Sequence, residues 1–108
     1  MKTLRDYQKE VAFWSYQNFG QSVGYGHRPL LGVGEEVGEL MHAHLKMEQG
    51  IRLSEDHETK RKDAVGDILI YLMDYCAQTG IDIQECLETT WTQVQKRNWK
   101  QNKIDGTV

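Results

Sequence analysis

Three carboxylates fall within the five residues Glu35-Glu36-Val37-Gly38-Glu39, and a second acidic pair stands in Asp63-Ala64-Val65-Gly66-Asp67. Read as α-helix, Glu36 and Glu39 share a face, as do Glu35 and Glu39, and as do Asp63 and Asp67. Like charges at these spacings repel. Two such faces set against each other require positive charge between them, and a set of oxygen-only ligands suits a hard divalent cation, Mg²⁺ or Mn²⁺. Glutamates on helices are ordinarily solvated. The sequence around Asp67 argues against that here, because Ile68-Leu69-Ile70-Tyr71-Leu72-Met73 is apolar on all sides and predicts an enclosed helix. An enclosed carboxylate without a partner costs several kcal/mol or takes up a proton. A cation on such a cluster binds di- or triphosphate oxygens, polarises phosphorus and lowers the pKa of bound water. The chain shows no Gly-rich phosphate loop and no Ser/His/Asp pattern that would suggest a different nucleotide chemistry.

The elements that must position these acids are helical. Leu4, Tyr7, Val11 and Trp14 form one stripe of a first helix over about 4–19, widened by Phe13, Tyr16 and Phe19, and aromatics so spaced are expected in a core. Residues 20–29 hold three of the glycines and the only proline and read as a loop, with His27 and Arg28 available to an anion. A second helix is expected from Leu30 to Gln49, burying Leu30, Val33, Val37, Leu40, Met41, His44 and Leu45, and stopped by Gly50. Gly34 and Gly38 inside it cost roughly 1 kcal/mol each relative to alanine, which suggests close approach of a backbone or a ligand. His42 and His44 are assigned to packing or solvent, imidazole being a poor match for a hard cation.

Ser54 is the expected N-cap of a third helix that ends at Gly80, and Lys60-Arg61-Lys62, a run of the kind that is usually solvated surface, lies one turn from the acidic face, where it could also meet phosphate oxygens. Asp82-Ile83-Gln84-Glu85 has capping-box spacing and starts a fourth helix with Ile83, Leu87, Trp91 and Val94 as its stripe and Lys96-Arg97-Asn98-Trp99-Lys100 at its close. The short connection makes helices three and four antiparallel neighbours. Residues 104–108 read as a frayed tail. No strand pattern or repeat is evident, so the fold class is an all-α bundle of four helices in a single domain.

Composition bounds the rest. One domain of 108 residues is small for an enzyme working alone, and oligomerisation would help it. A net charge of −3 gives no general attraction to a nucleic acid polymer or an anionic membrane. No apolar run spans a bilayer and no secretory core follows Met1, so a soluble cytoplasmic protein is expected. Cys76 and Cys86 lack metal-ligand spacing and are given no role.

Glu35-Glu36-Val37-Gly38-Glu39, followed after a basic stretch by Asp63-Ala64-Val65-Gly66-Asp67-Ile68-Leu69, resembles the MazG-like all-α nucleoside triphosphate pyrophosphohydrolases, whose pattern is E-E-x-x-E and then E-x-x-D. The resemblance covers about residues 30–98. It implies Glu36 and Glu39 as metal ligands, Glu35 as a further ligand or the group orienting the attacking water, and Asp67 as the final aspartate. Where the family has glutamate this chain has Ala64, and Asp63 is the candidate replacement. The implied reaction cleaves a nucleoside triphosphate between its α and β phosphates, giving the monophosphate and pyrophosphate, in a homodimer or homotetramer. Lys96, Arg97 and Asn98 are candidates for phosphate contact by the same analogy, and Trp14, Phe13 or Tyr71 for base stacking. Two other readings stay open. One is a carboxylate di-iron bundle, from the Glu39-Leu40-Met41-His42 unit; the other is a non-catalytic helical interaction module.

Overall fold

The structure, a computed structural model, describes residues 1–20 and 27–107. It is all-helical, with α1 at Leu4–Phe19, α2 at His27–Gln49, α3 at His57–Thr79 and α4 at Ile83–Val94. No strand occurs among the described residues. Each start has a local cause. Thr3 caps α1 in a reciprocal capping box with Asp6, and Asp82 caps α4 by accepting the backbone N–H groups of Gln84 and Glu85. Asp56, rather than Ser54, caps α3: its carboxylate accepts from the Thr59 backbone N–H at 3.0 Å and the Thr59 hydroxyl at 2.8 Å. Helix α2 begins three residues earlier than its apolar pattern suggested, because His27 and Arg28 lead into Pro29, whose missing N–H is harmless in a first turn. The glycines of the expected loop at positions 24 and 26 lie outside the described residues.

Helix α2 packs along α3, and α1 packs on α3 and on α4. Gly32 and Tyr71 set the α2–α3 approach: a Cβ at residue 32 would overlap the Tyr71 ring. Helix α1 runs antiparallel to the second half of α3. The Ser15 hydroxyl, 4% exposed, donates to Asp74 Oδ2 at 2.8 Å, and the Gln78 amide donates to the other Asp74 oxygen at 3.0 Å. At the far end Gln8 reads the corner between α3 and α4 from both sides. Its amide donates to the Ile81 carbonyl at 2.7 Å and its oxygen accepts the Ile83 N–H at 2.8 Å. Arg5 pairs with Asp82 beside it. These bonds hold the corner against α1, and Gly80 (φ 75°) turns the chain there in the left-handed region. Helix α4 therefore lies on α1 and is not the antiparallel neighbour of α3 that the short connection implied.

Several expectations about burial fail, for one reason. The core consists of Ala43, Ala64, Met73 and Cys76, with no large side chain fully buried among the described residues. Tyr7, Phe13, Trp14, Tyr16 and Phe19 on α1 are exposed, as are Leu30, Met41, His44 and Leu45 on α2. The residues of α2 that are buried are Pro29, Gly32, Glu36 and Ala43. On α3, Leu69 and Ile70 are only half covered, at 45% and 43% exposure. One chain provides too few neighbouring elements to cover these stripes.

The C-terminal stretch also differs from expectation. Helix α4 ends at Val94, so Lys96–Lys100 lies beyond it. Residues 98–106 form a closed turn in place of a frayed tail. The Asn98 N–H donates to the Gly106 carbonyl at 2.7 Å, the Gly106 N–H donates to the Asn102 carbonyl at 3.1 Å, and buried Gly106 packs against Arg97 and Trp99. No described helix is long and apolar enough to cross a membrane.

Candidate metal centre

Helix α2 brings Glu35, Glu36 and Glu39 together as their spacing requires: one carboxylate oxygen from each lies within 4.8 Å of the others. Across the helix pair, Glu39, Asp63 and Asp67 line a common cavity of about 460 Å³, together with His42, Ala43, Lys60 and Ala64. The acids of the second and third helices therefore face a shared space. Ala43 and Ala64, each 2% exposed, are the small residues in its wall. A glutamate at 64 would project into this volume. With alanine there, Asp63 on the same turn is left as the additional carboxylate lining it.

The enclosed carboxylate is not the one the sequence indicated. Asp67 is exposed, because the apolar run after it is only partly covered, whereas Glu36 is 8% exposed. Its Oε2 is buried with no hydrogen-bond partner. Burial pushes the Glu36 carboxyl above its ordinary range, and the neighbouring carboxylates of Glu39, Asp67 and Glu35 push the same way. Tyr71, beside Gly32, is also raised, first by burial and then by the surrounding charges of Glu35, Glu36, Asp67 and Asp74. Its ring sits between the helices, so it serves the packing and is not a free stacking face.

The basic run resolves residue by residue. Lys60 lines the cavity, with its ammonium 3.3 Å from Glu55. Arg61 instead donates to the Met47 sulfur at 3.0 Å, and Lys62 pairs with Glu58 at 3.1 Å. His42, assigned to packing or solvent from sequence, faces the same cavity as Glu39. Its spacing in Glu39-Leu40-Met41-His42 was the available signal. Gly32, one turn before Glu36 on the same face, was the signal for the Tyr71 contact.

Other candidates lie elsewhere. Lys96 and Arg97 line a separate cavity with Gln93, Asp105, Gly106 and Thr107. The Asn98 side-chain oxygen accepts the backbone N–H groups of Lys100 and Gln101, both at 3.1 Å, and so serves the terminal turn. Trp14 is exposed and meets Phe19 edge to face, with ring centroids 5.7 Å apart. A single chain does not bring these residues into the acidic cavity.

The arrangement suits a hard cation. Glu36 presents a buried oxygen without a donor, Glu35 and Glu39 offer exposed oxygens beside it, and Asp63 and Asp67 face Glu39 across the cavity. Compared with known protein families, with characterised proteins and with solved structures, the chain gives no match.

Proposed function

We propose that this chain is a nucleoside triphosphate pyrophosphohydrolase dependent on Mg²⁺ or Mn²⁺, cleaving (d)NTP to (d)NMP and pyrophosphate. The observation that carries the reading is the buried, donorless oxygen of Glu36 beside a cavity into which carboxylates of two helices converge. Resemblance of the paired acidic motifs to the MazG-like proteins supplies the reaction.

Glu36, Glu39 and Asp67 would hold the ion, with Asp63 in place of the family glutamate. A bound divalent cation would neutralise phosphate charge and make hydroxide available near neutral pH. The protein groups have distinct tasks. Glu36 is buried and fixes one ligand oxygen. Glu35, exposed and within the same cluster, accepts a proton from the attacking water. Lys60 is the cation on the cavity wall that meets the phosphate oxygens of an entering nucleotide. The acidic cluster alone would repel a triphosphate, so activity should depend strictly on the metal. The active form is a homodimer or homotetramer, in the cytoplasm.

The test is release of pyrophosphate from a panel of ordinary, deoxy and modified nucleotides. Wild type should release it only with Mg²⁺ or Mn²⁺, and Glu39→Gln or Asp67→Asn should abolish release with helical content intact. No pyrophosphate from any nucleotide at any metal concentration would remove the enzymatic reading. Metal-independent binding of a protein partner through this face would favour the interaction module, and an iron-coloured preparation the di-iron bundle.

A further inference from the structure

We infer that His42 is a ligand of the metal centre and that its nitrogen makes the centre select a first-row transition ion over Mg²⁺. His42 can be a ligand only if the metal centre proposed above exists, whereas the reaction proposed for that centre is not required.

The register of α2 on α3 places the imidazole. Gly32 lies against Tyr71 toward one end of the pair and Met47 accepts from Arg61 toward the other, so the two helices run antiparallel. One turn in from Gly32, Glu36 feels the charge of Asp67 across the pair. One turn further, Glu39 and Ala43 share a cavity with Lys60 and Ala64. His42 follows Glu39 by three residues and Asp63 precedes Asp67 by four, spacings that keep each pair on one face. Each helix thus brings two possible ligands to the same space of about 460 Å³. Ala43 and Ala64 in its wall leave that space open.

His42 has no other task within the chain. His44 pairs with Glu48 at 3.3 Å, and His57 Nε2 meets the Ile51 carbonyl at 3.0 Å. Among the described residues His42 makes no hydrogen bond or ion pair. The nearby cations are engaged with other groups: Lys60 with Glu55 at 3.3 Å, Lys62 with Glu58 at 3.1 Å and Arg61 with the Met47 sulfur. Asp63 and Asp67 therefore face the cavity without a cationic partner among the described residues. Glu36, only 8% exposed, adds a buried Oε2 without a donor, in the cluster it shares with Glu39. The oxygens of Glu35, Glu36 and Glu39 already lie within 4.8 Å of one another, while His42, Asp63 and Asp67 are exposed side chains able to turn onto an ion.

The mismatch between imidazole and a hard cation speaks to the identity of the ion. Mg²⁺ demands near-ideal octahedral oxygen coordination and gives up its water reluctantly. Imidazole nitrogen instead suits the first-row transition ions, whose affinity for mixed nitrogen and oxygen sites rises from Mn²⁺ through Co²⁺. One nitrogen among several carboxylates moves the centre toward that series.

The experiment is calorimetric titration of the metal-free full chain with Mg²⁺, Mn²⁺ and Co²⁺ in turn, joined to pulsed EPR of the Mn²⁺-loaded protein. Wild type should bind Co²⁺ more tightly than Mg²⁺ and show nitrogen coupling from an imidazole to bound Mn²⁺. His42→Ala should abolish the coupling and weaken Co²⁺ binding by roughly 10–100-fold, the loss seen when even an outer-shell partner of a ligand is removed, while Mg²⁺ affinity changes less than about threefold. His44→Ala should leave both readouts as in wild type. Bound Mn²⁺ without nitrogen coupling, coupling that survives His42→Ala, or equal losses for Mg²⁺ and Co²⁺ would overturn the role of His42 and leave the carboxylate centre standing. A wild type that binds none of the three ions would remove the centre itself.

Discussion

Replacing Glu36 by glutamine tests the metal centre without reference to any substrate. In metal-free protein at neutral pH, Glu36 carries a buried oxygen with no donor, in a cluster with Glu35 and Glu39. Leaving such a group unsatisfied costs about 1–3 kcal/mol, and the gain from the substitution falls at the low end because the glutamine amide must itself be buried. Glutamine keeps the shape, removes the charge and gives Glu39 a donor. Glu36→Gln should therefore raise metal-free stability by about 1 kcal/mol, or ~4–8 °C in melting temperature for a domain near this size. The pH dependence has a definite sign. The folded-state pKa of Glu36 is raised, so its contribution to stability is fully present below the unfolded pKa and is lost as pH rises through the folded value. Metal-free wild type should lose stability relative to Glu36→Gln across that window, and the two should converge in acid. Mn²⁺ reverses the order: at a hundred times its Kd, binding stabilises wild type by about 2.7 kcal/mol, while the glutamine variant gains little. Scanning calorimetry with and without Mn²⁺ reads both effects. A variant several degrees less stable than wild type without metal, or a wild type indifferent to millimolar Mn²⁺, would refute the reasoning.

Gly32→Ala should destabilise the chain by about 1–3 kcal/mol, because its methyl meets the Tyr71 ring; adding Tyr71→Leu should recover much of the loss in chemical denaturation. Ser15→Ala removes the donor to Asp74 Oδ2 and should cost about 1 kcal/mol, read as a lower denaturant midpoint at unchanged slope. Lys60→Ala should raise KM for the nucleotide severalfold while Mn²⁺ affinity holds or increases, since it removes a cavity cation. An unchanged KM would place the phosphates elsewhere.

The number and order of the helices, the cap at Asp82 and the shared faces of the acidic residues were legible in the sequence, because periodicity and capping are local properties set by neighbours along the chain. The MazG-like resemblance rests on the same local information. Which side of each helix is covered was not legible. Apolar stripes on α1, α2 and α4 predicted burial in the monomer. They remain exposed because one chain supplies too few elements to cover them, and where α1 sits is set by the bonds of Arg5, Gln8 and Ser15 to the corner and the second half of α3, each joining residues more than fifty positions apart. The same limit moved the enclosed carboxylate from Asp67 to Glu36. A run of apolar residues shows that a segment seeks cover, but only the packing of α2 on α3 decides which acid is enclosed. The sequence by itself determined four helices and two acidic faces; the tertiary structure alone decided that these faces meet across one cavity, since burial depends on what lies opposite and not on what lies adjacent in the chain.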